Sequence, residues 1–131
     1  LVVDFSIPTY YLIIEAPTRE KLEVICSWLN EILSFVPLET LQESARKEMY
    51  NNPKSLVRMA LGTDETSDSK SLEILLSGLK SQDPLVRFRA AEAASLIGWS
   101  EFIPLLELIN QNDESSEVRE MANRALEVCQ R

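Results

Sequence analysis

Apolar residues recur at three- and four-residue spacing over most of the chain, which is the spacing of one face of an α-helix. The first such run predicts a helix over 18–36, with Thr18 as its N-cap and Pro37 as its end. The apolar face of this helix comprises Leu22, Ile25, Cys26, Leu29, Ile32, Leu33 and Val36. The same spacing predicts a second helix over 39–50 and a third, short helix that starts at Pro53.

The N-terminal residues follow a different pattern, because 2–15 lack a helical stripe and are rich in β-branched and aromatic residues. Residues 10–14 are a run of large apolar side chains, and Pro8 would interrupt a helix there. We expect two short strands or an extended arm. A lone ribbon is marginal in water, so it either lies across the helix at 18–36 or pairs with the same segment of a second chain. The second outcome would give a homodimer through residues 1–15.

From residue 71 onwards the sequence repeats itself with a period of about 30 residues. Four apolar positions of the first unit recur in the second: Leu72, Leu75, Leu76 and Leu79 correspond to Phe102, Leu105, Leu106 and Ile109. Val86 and Arg87 recur as Val118 and Arg119, after a short insertion that is confined to the turn. Each unit therefore predicts a helix, a tight turn and a second helix. The predicted helix bounds are 71–81 and 84–97, and then 101–111 and 116–130.

The second helix of each unit carries alanines at helical spacing: Ala90, Ala91, Ala93 and Ala94, and then Ala122 and Ala125. Small side chains let a neighbouring helix approach closely, so we expect the second helix to be the inner, more tightly packed one. In the first unit Asp83 can cap this helix, Pro84 suits its first position and Gly98 suits its C-terminal end.

These residues carry a resemblance to a known family. The first unit, with Asp83-Pro84-Leu85-Val86-Arg87, the alanines and Ile97-Gly98, resembles a HEAT repeat, and more narrowly the HEAT-like repeats of the phycobilisome lyase group. The second unit lacks the proline after Asp113 and has Met121 where an alanine is usual, and 52–62 is a shorter echo. The resemblance implies a mainly α fold, a HEAT-like α-α superhelix of helix pairs, preceded by a short N-terminal extended or β segment.

The resemblance also divides the chain. We expect residues 1–62 to form an N-terminal extended segment with capping helices, and the polar run at 63–70 to be a linker. Residues 71–131 then form two HEAT-like repeats, at 71–98 and 99–131. In the resembling family the Asp of one repeat and the Arg of the next form a polar ladder along the array. This implies a structural role for four residues: Asp83, Arg87, Asp113 and Arg119.

Composition and charge exclude several classes of function. The chain has 13 Lys and Arg against 21 Asp and Glu, a net charge of -8, whereas a module that tracks nucleic-acid phosphates should be basic. No histidine is present, so Ser-His-Asp and Cys-His catalysis and His-ligated metals are excluded. The three glycines are too far apart to cradle a phosphate. The sequence therefore assigns no catalytic, metal or cofactor residue, predicts no cofactor and favours a non-enzymatic role.

Membrane insertion is not expected, because the apolar N-terminal stretch is broken by Asp4, Pro8 and Glu15 and is too short to span a bilayer. The two cysteines, Cys26 and Cys129, form no C-x-x-C motif and are predicted to be reduced thiols, which indicates a cytoplasmic protein. Because the chain begins with leucine, we expect residues to precede it.

The leading hypothesis is a non-catalytic scaffold that binds other proteins, since arrays of helix pairs present a continuous curved surface. The predicted binding surface comprises side chains that escape the alanine packing and aromatics beside arginines. These residues are Phe88, Arg89, Glu92, Trp99, Glu120, Asn123 and Arg124. The resemblance implies an alternative, in which the chain is a subunit or fragment of a bilin lyase, which handles phycobiliprotein chromophores, or a phycobilisome-associated factor.

Overall fold

The chain folds mainly into helices, as predicted. The computed structural model describes residues 2–4, 9–12, 14–64 and 66–131, with the backbone alone described at 2–4 and 9–11. Residue 13 of the predicted extended run and residue 65 of the predicted linker lie outside this description. The elements in chain order are β1 Val2–Asp4, β2 Thr9–Tyr11, α1 Arg19–Ile32, α2 Leu38–Glu48, α3 Lys54–Ala60, α4 Ser69–Leu79, α5 Pro84–Ile97, a 3-10 turn Ser100–Phe102, α6 Ile103–Asn112 and α7 Ser116–Cys129.

The described chain divides into two compact units, Leu1–Pro37 and Leu38–Arg131. In the first unit β1 and β2 form an antiparallel ribbon, which is the first of the two conformations that the sequence left open. Helix α1 starts at the predicted cap, since the Thr18 hydroxyl accepts a hydrogen bond from the Lys21 amide at 3.4 Å. It ends at Ile32, before the predicted residue 36, because Leu33 already has an extended backbone (φ -114°, ψ 138°).

The second unit is built from three helix pairs, α2 with α3, α4 with α5, and α6 with α7. The second helices of the pairs pack against one another in succession, α3 on α5 and α5 on α7. The alanines that predicted a tightly packed second helix are fully buried: Ala90, Ala91, Ala93, Ala94, Ala122 and Ala125. The sequence predicted two repeats preceded by capping helices, and in the structure α2 and α3 pack together as a pair of their own. The echo at 52–62 contains α3. This helix is only seven residues long, but five of its residues are buried.

The segment predicted as a linker or long loop, 63–70, lies inside the second unit. Asp68 caps α4 by accepting hydrogen bonds from the Lys70 and Ser71 amides, so the helix begins at Ser69, before the predicted residue 71. The Gln42 side chain of α2 donates to Asp68 Oδ2 at 2.7 Å and to Ser71 Oγ at 2.9 Å. These bonds join α2 to α4, so the unit boundary falls at Pro37 and not at this segment.

The two later helix pairs match the predicted bounds closely. Helix α5 spans the predicted residues 84–97, with the Asp83 carboxylate accepting from the Leu85 amide and Gly98 in the left-handed conformation (φ 73°). Helix α6 begins at Ile103 instead of 101, because Pro104 lacks an amide hydrogen and is tolerated only in the first turn. In the described parts of the chain no helix is long and apolar enough to cross a membrane.

Overpacking the interface between second helices should destabilise the protein. Ala93 in α5 and Ala125 in α7 are fully buried, so leucine at either position has no space to occupy. We expect each substitution to lower the free energy of unfolding by about 1–3 kcal/mol, measured by chemical denaturation. Glu107→Leu, on the exposed side of α6, is the control and should change it by less than about 0.5 kcal/mol. Equal effects of all three variants would contradict the packing described for these alanines.

Candidate protein-interaction surface

One ion pair joins the second helix pair to the third. The Arg87 guanidinium on α5 donates from Nε to Asp113 Oδ2 at 2.6 Å and from Nη2 to Asp113 Oδ1 at 2.9 Å. Its Nη1 donates to the carbonyls of Ser81 and Gln82, both at 2.9 Å. The two side chains are only 16% and 5% exposed. A two-pronged, largely buried pair of this kind fixes both the spacing and the orientation of the neighbouring helix pairs.

The ion pair shifts the protonation equilibrium of both partners. The Arg87 side chain lowers the pKa of Asp113 by hydrogen bonding, and the Ser115 amide adds to this effect, while burial opposes it. The hydrogen bond from Arg87 to Asp113 in turn raises the pKa of the guanidinium. Both groups are therefore charged at neutral pH.

The direction of this pairing differs from the one that the resemblance implied. The arginine comes from the earlier repeat and the aspartate from the later one, because the Asp113 turn lies beside the start of α5. Asp83 accepts a hydrogen bond from the Leu85 amide, and in the described structure it makes no ion pair with Arg119. Arg58, the equivalent residue of the first helix pair, has a buried Nε without a hydrogen-bond partner among the described residues.

The three candidate residues on α5 form a compact group. Arg89 Cζ lies 5.4 Å from the centroid of the Phe88 ring, within the range of a cation–π contact. Arg89 Nη1 also donates to Glu92 Oε2 at 2.6 Å, and both of these side chains are about four-fifths buried (19% and 23% exposed). The arginine charge is thereby compensated locally, while the half-buried Phe88 ring keeps part of its surface accessible.

The three candidate residues on α7 are more exposed. Arg124 donates to the Glu120 carboxylate one helical turn earlier, and both side chains are more than half exposed. Asn123 donates to Glu127 Oε1 at 3.3 Å. These contacts lie within one helix face and in water, where ion pairs contribute little stability. The polar side chains on this part of α7 are therefore available to a partner.

Trp99 does not belong to the exposed surface on which it was predicted. It is only 4% exposed, and its ring stacks on Phe102 with the centroids 5.8 Å apart and the planes 13° apart. Trp99 directly precedes the 3-10 turn, and its stacking on the fully buried Phe102 ring covers the indole. Trp99 is thus a core residue, and the candidate surface comprises the other six residues.

An apolar groove between the starts of α5 and α7 extends the candidate surface. The groove has a volume of about 310 Å³ and is lined by Pro84, Leu85, Phe88, Ser115, Glu117 and Val118. Leu85 is 53% exposed. The sequence analysis did not include Leu85. Its position, equivalent to the exposed Glu117 in the following repeat, is the signal that could have placed it outside the core.

Comparison with known proteins agrees with this architecture. A family model described as HEAT repeats matches residues 38–127, which is more than half of the chain. The chain belongs to the HEAT repeat family. No curated protein and no solved structure matches it significantly.

The HEAT match starts where the second compact unit starts, at Leu38. Helices α2 and α3 are therefore part of the HEAT array and not a separate cap. The sequence analysis placed the first full repeat at 71, because the echo at 52–62 is short. The packing of α3 against α5 was not visible in a comparison of repeat sequences.

A second cavity of the HEAT unit lies away from the candidate surface. It has a volume of about 680 Å³ and lies beside α4 and the α4–α5 turn. Its lining includes Tyr50, Leu76 and Lys80 together with polar turn residues. In the described part of the chain no group of three or more acidic or cysteine side chains is arranged to hold a metal ion.

Proposed function

We propose that this protein is a non-catalytic scaffold that binds a partner protein through the surface formed by α5 and α7. Membership of the HEAT repeat family carries the proposal, since HEAT repeats generally mediate protein–protein interaction. In this proposal the three helix pairs continue into a superhelix, and its inner layer of second helices presents Phe88, Arg89, Glu92, Glu120, Asn123 and Arg124.

The groove beside Phe88 supports this surface as the docking site. Interfaces obtain most of their binding energy from a few apolar or aromatic anchors in a pocket, surrounded by polar residues. Leu85 and Phe88 provide the apolar floor, and the Glu117 carboxylate stands at its edge. A hydrogen bond from its own backbone amide, and then those from the Ser115 and Ser116 hydroxyls, lower the pKa of Glu117. The groove therefore suits an apolar side chain of the partner.

A matched pair of leucine substitutions tests the docking surface. Leu85 in the groove and Leu108 on α6 are similarly exposed, at 53% and 58%. We expect Leu85→Ser to weaken partner binding at least about tenfold and Leu108→Ser to leave it within about twofold. The measurement is the affinity of each purified variant for the partner captured by the unmodified protein. Equal loss of binding in the two variants would rule out the groove as the docking site.

Phe88→Ala tests the aromatic anchor separately. Because Phe88 is half-buried and also contacts Arg89, its removal should reduce partner affinity by about 1–2 kcal/mol. Circular dichroism must show an unchanged helical spectrum, so that a loss of affinity reports binding and not unfolding. Unchanged affinity in a folded variant would remove Phe88 from the surface.

We also propose that the extended segment at residues 1–15 pairs with the same segment of a second chain. The ribbon of β1 and β2 supports this, since a two-stranded ribbon leaves unpaired edges that can accept another strand. Light scattering should give the mass of a dimer for the intact chain and of a monomer after deletion of 1–15. A monomeric intact chain at high concentration would refute the pairing.

The alternative function is that of a bilin lyase subunit or another phycobilisome-associated factor. The resemblance at 83–98, with the buried alanines that follow Asp83-Pro84, favours this reading. Mixing the protein with phycocyanobilin and recording the absorbance spectrum tests it. The absence of both a spectral shift and chromophore transfer to a biliprotein would exclude it. Either function suits a cytoplasmic setting, which the free thiols of Cys26 and Cys129 support.

A further inference from the structure

The apolar groove at Leu85 and Phe88 adjoins a polar cavity. The polar cavity has a volume of about 560 Å³ and lies between the α4–α5 turn and the α6–α7 turn. Pro84 and Ser115 line both the groove and this cavity, so the two are continuous. Together they form one cleft between neighbouring helix pairs, which is apolar at the Leu85 end and polar at the turns.

The polar end of the cleft carries an excess of negative charge. Arg87 holds Asp113 by two hydrogen bonds, at 2.6 and 2.9 Å, so these two opposite charges compensate each other. The same guanidinium interacts electrostatically with Glu114 and Asp83. Both of these carboxylates are exposed, and neither forms an ion pair with another residue that the structure describes. They are therefore accessible to a further cation.

The apolar end of the cleft has one charged residue in its lining, Glu117. Its side chain is exposed and forms no ion pair within the described chain. Arg119 interacts with it electrostatically, while Arg89 is already compensated by Glu92. The cleft thus combines four carboxylates with two guanidinium groups, a net charge of -2 from Asp83, Asp113, Glu114, Glu117, Arg87 and Arg119.

We propose that the cleft binds a segment of the partner protein in which a large apolar side chain lies next to a lysine or an arginine. The apolar side chain enters the groove on Leu85 and Phe88, and the cation lies against Glu117. An acidic neighbour in the partner would add to the negative charge of the cleft and be repelled. This partner chemistry rests on the docking site proposed above and specifies what that site selects.

The charge of the whole chain acts in the same direction. Its net charge is -8, so a cationic segment is attracted before it makes contact and an acidic one is repelled. Among the charged groups of the cleft, Arg119 is the one that favours an anion, and its Nη1 already donates to the carbonyls of Asp113 and Glu114. Because both walls of the cleft come from helix pairs of this chain, the cleft needs no further element to be complete.

Three small probes with the same apolar part and different charges test this preference. They are phenylbutylamine, which is a cation at neutral pH, phenylbutanol, which is neutral, and phenylbutyrate, which is an anion. Each is titrated into the intact protein with labelled leucine methyl groups at constant low ionic strength. The Leu85 methyl resonances are followed by NMR and assigned through Leu85→Ser. We expect the dissociation constant of the amine to be at least about threefold lower than that of the alcohol, and that of the carboxylate to be higher.

Two charge-neutralising substitutions locate the source of the preference. Glu117→Gln keeps the size of the side chain and removes the charge that lines the groove, so the amine and the alcohol should then bind within about twofold of each other. Glu107→Gln, on the exposed side of α6, is the matched control and should leave the preference unchanged. Added salt should reduce the preference in the unmodified protein, because ions screen exposed charges.

The possible failures are distinguishable. If the amine binds no more tightly than the carboxylate, or if Glu117→Gln retains the full preference, the partner chemistry inferred here is wrong and the groove remains a docking site for an apolar side chain. If no probe saturates the Leu85 resonances and these move only as much as those of the exposed Leu108, the groove does not accept apolar groups. That result would overturn the docking site itself and the partner chemistry with it.

Discussion

Replacing Phe102 with alanine should lower the free energy of unfolding by about 3–5 kcal/mol, the largest effect expected of a single substitution in this protein. Phe102 has no exposed surface, and its ring stacks on Trp99 at the start of α6. Its removal loses the burial of a large aromatic side chain and leaves a cavity that the surrounding helices cannot close. Chemical denaturation monitored by circular dichroism measures the change.

Leu108→Ala is the matched control for this prediction. Leu108 lies on α6, the helix that directly follows Phe102, but is 58% exposed, so its truncation should change the free energy of unfolding by no more than about 0.5 kcal/mol. Similar losses for Phe102 and Leu108 would show that the 3-10 turn does not insert Phe102 into the core.

Asp113→Ala should lower the free energy of unfolding by about 2–4 kcal/mol. The substitution removes both hydrogen bonds to Arg87 and leaves a largely buried guanidinium without its carboxylate. Glu120→Gln breaks the exposed pair with Arg124 and should cost less than about 0.5 kcal/mol. Equal effects of the two variants would mean that burial does not strengthen the inter-repeat pair.

The contribution of Asp113 should also depend on pH. The folded state lowers the pKa of Asp113, so its stabilising effect is complete above the unfolded pKa of about 3.9. It is lost as the pH falls through the lower, folded value. The difference in stability between the unmodified protein and Asp113→Ala should therefore be constant near neutral pH and shrink in acid. Asp68, whose pKa is lowered too, is present in both proteins and cancels. A difference that grows in acid would contradict the assigned pair.

The sequence predicted some elements well because their signals are local. Helix α5 has its cap, its first-turn proline and its terminal glycine within a few residues of its ends, and its bounds matched the prediction. The end of helix α1 at Ile32 was not predicted, because no residue between Ile32 and Pro37 marks a stop in the sequence. The extended backbone at Leu33 has no local sequence signal. The start of α4 was missed because Asp68 was read as part of a polar linker before Gln42 was known to contact it.

The candidate site was predicted less completely. Arg89 and Glu92 are three residues apart on α5 and form an ion pair, a contact that helical spacing allows, and Arg89 also lies over the Phe88 ring. Trp99 was placed on the surface although it is buried, because the direction of a side chain in a turn depends on what packs around it. Leu85 was omitted although its equivalence to the exposed Glu117 could have placed it at the surface.

By itself the sequence determined that the chain is mainly helical, that its later part repeats, and which small residues pack between helices. These properties follow from periodicity, because a repeated unit must bury the same face each time. Only the tertiary structure decided that α2 and α3 form a helix pair of their own and that Arg87 reaches forward to Asp113. The physical reason is that each depends on which helices become neighbours. Which helices become neighbours is set by the packing of many side chains together, and this produces no regular residue spacing that could be recognised in the sequence.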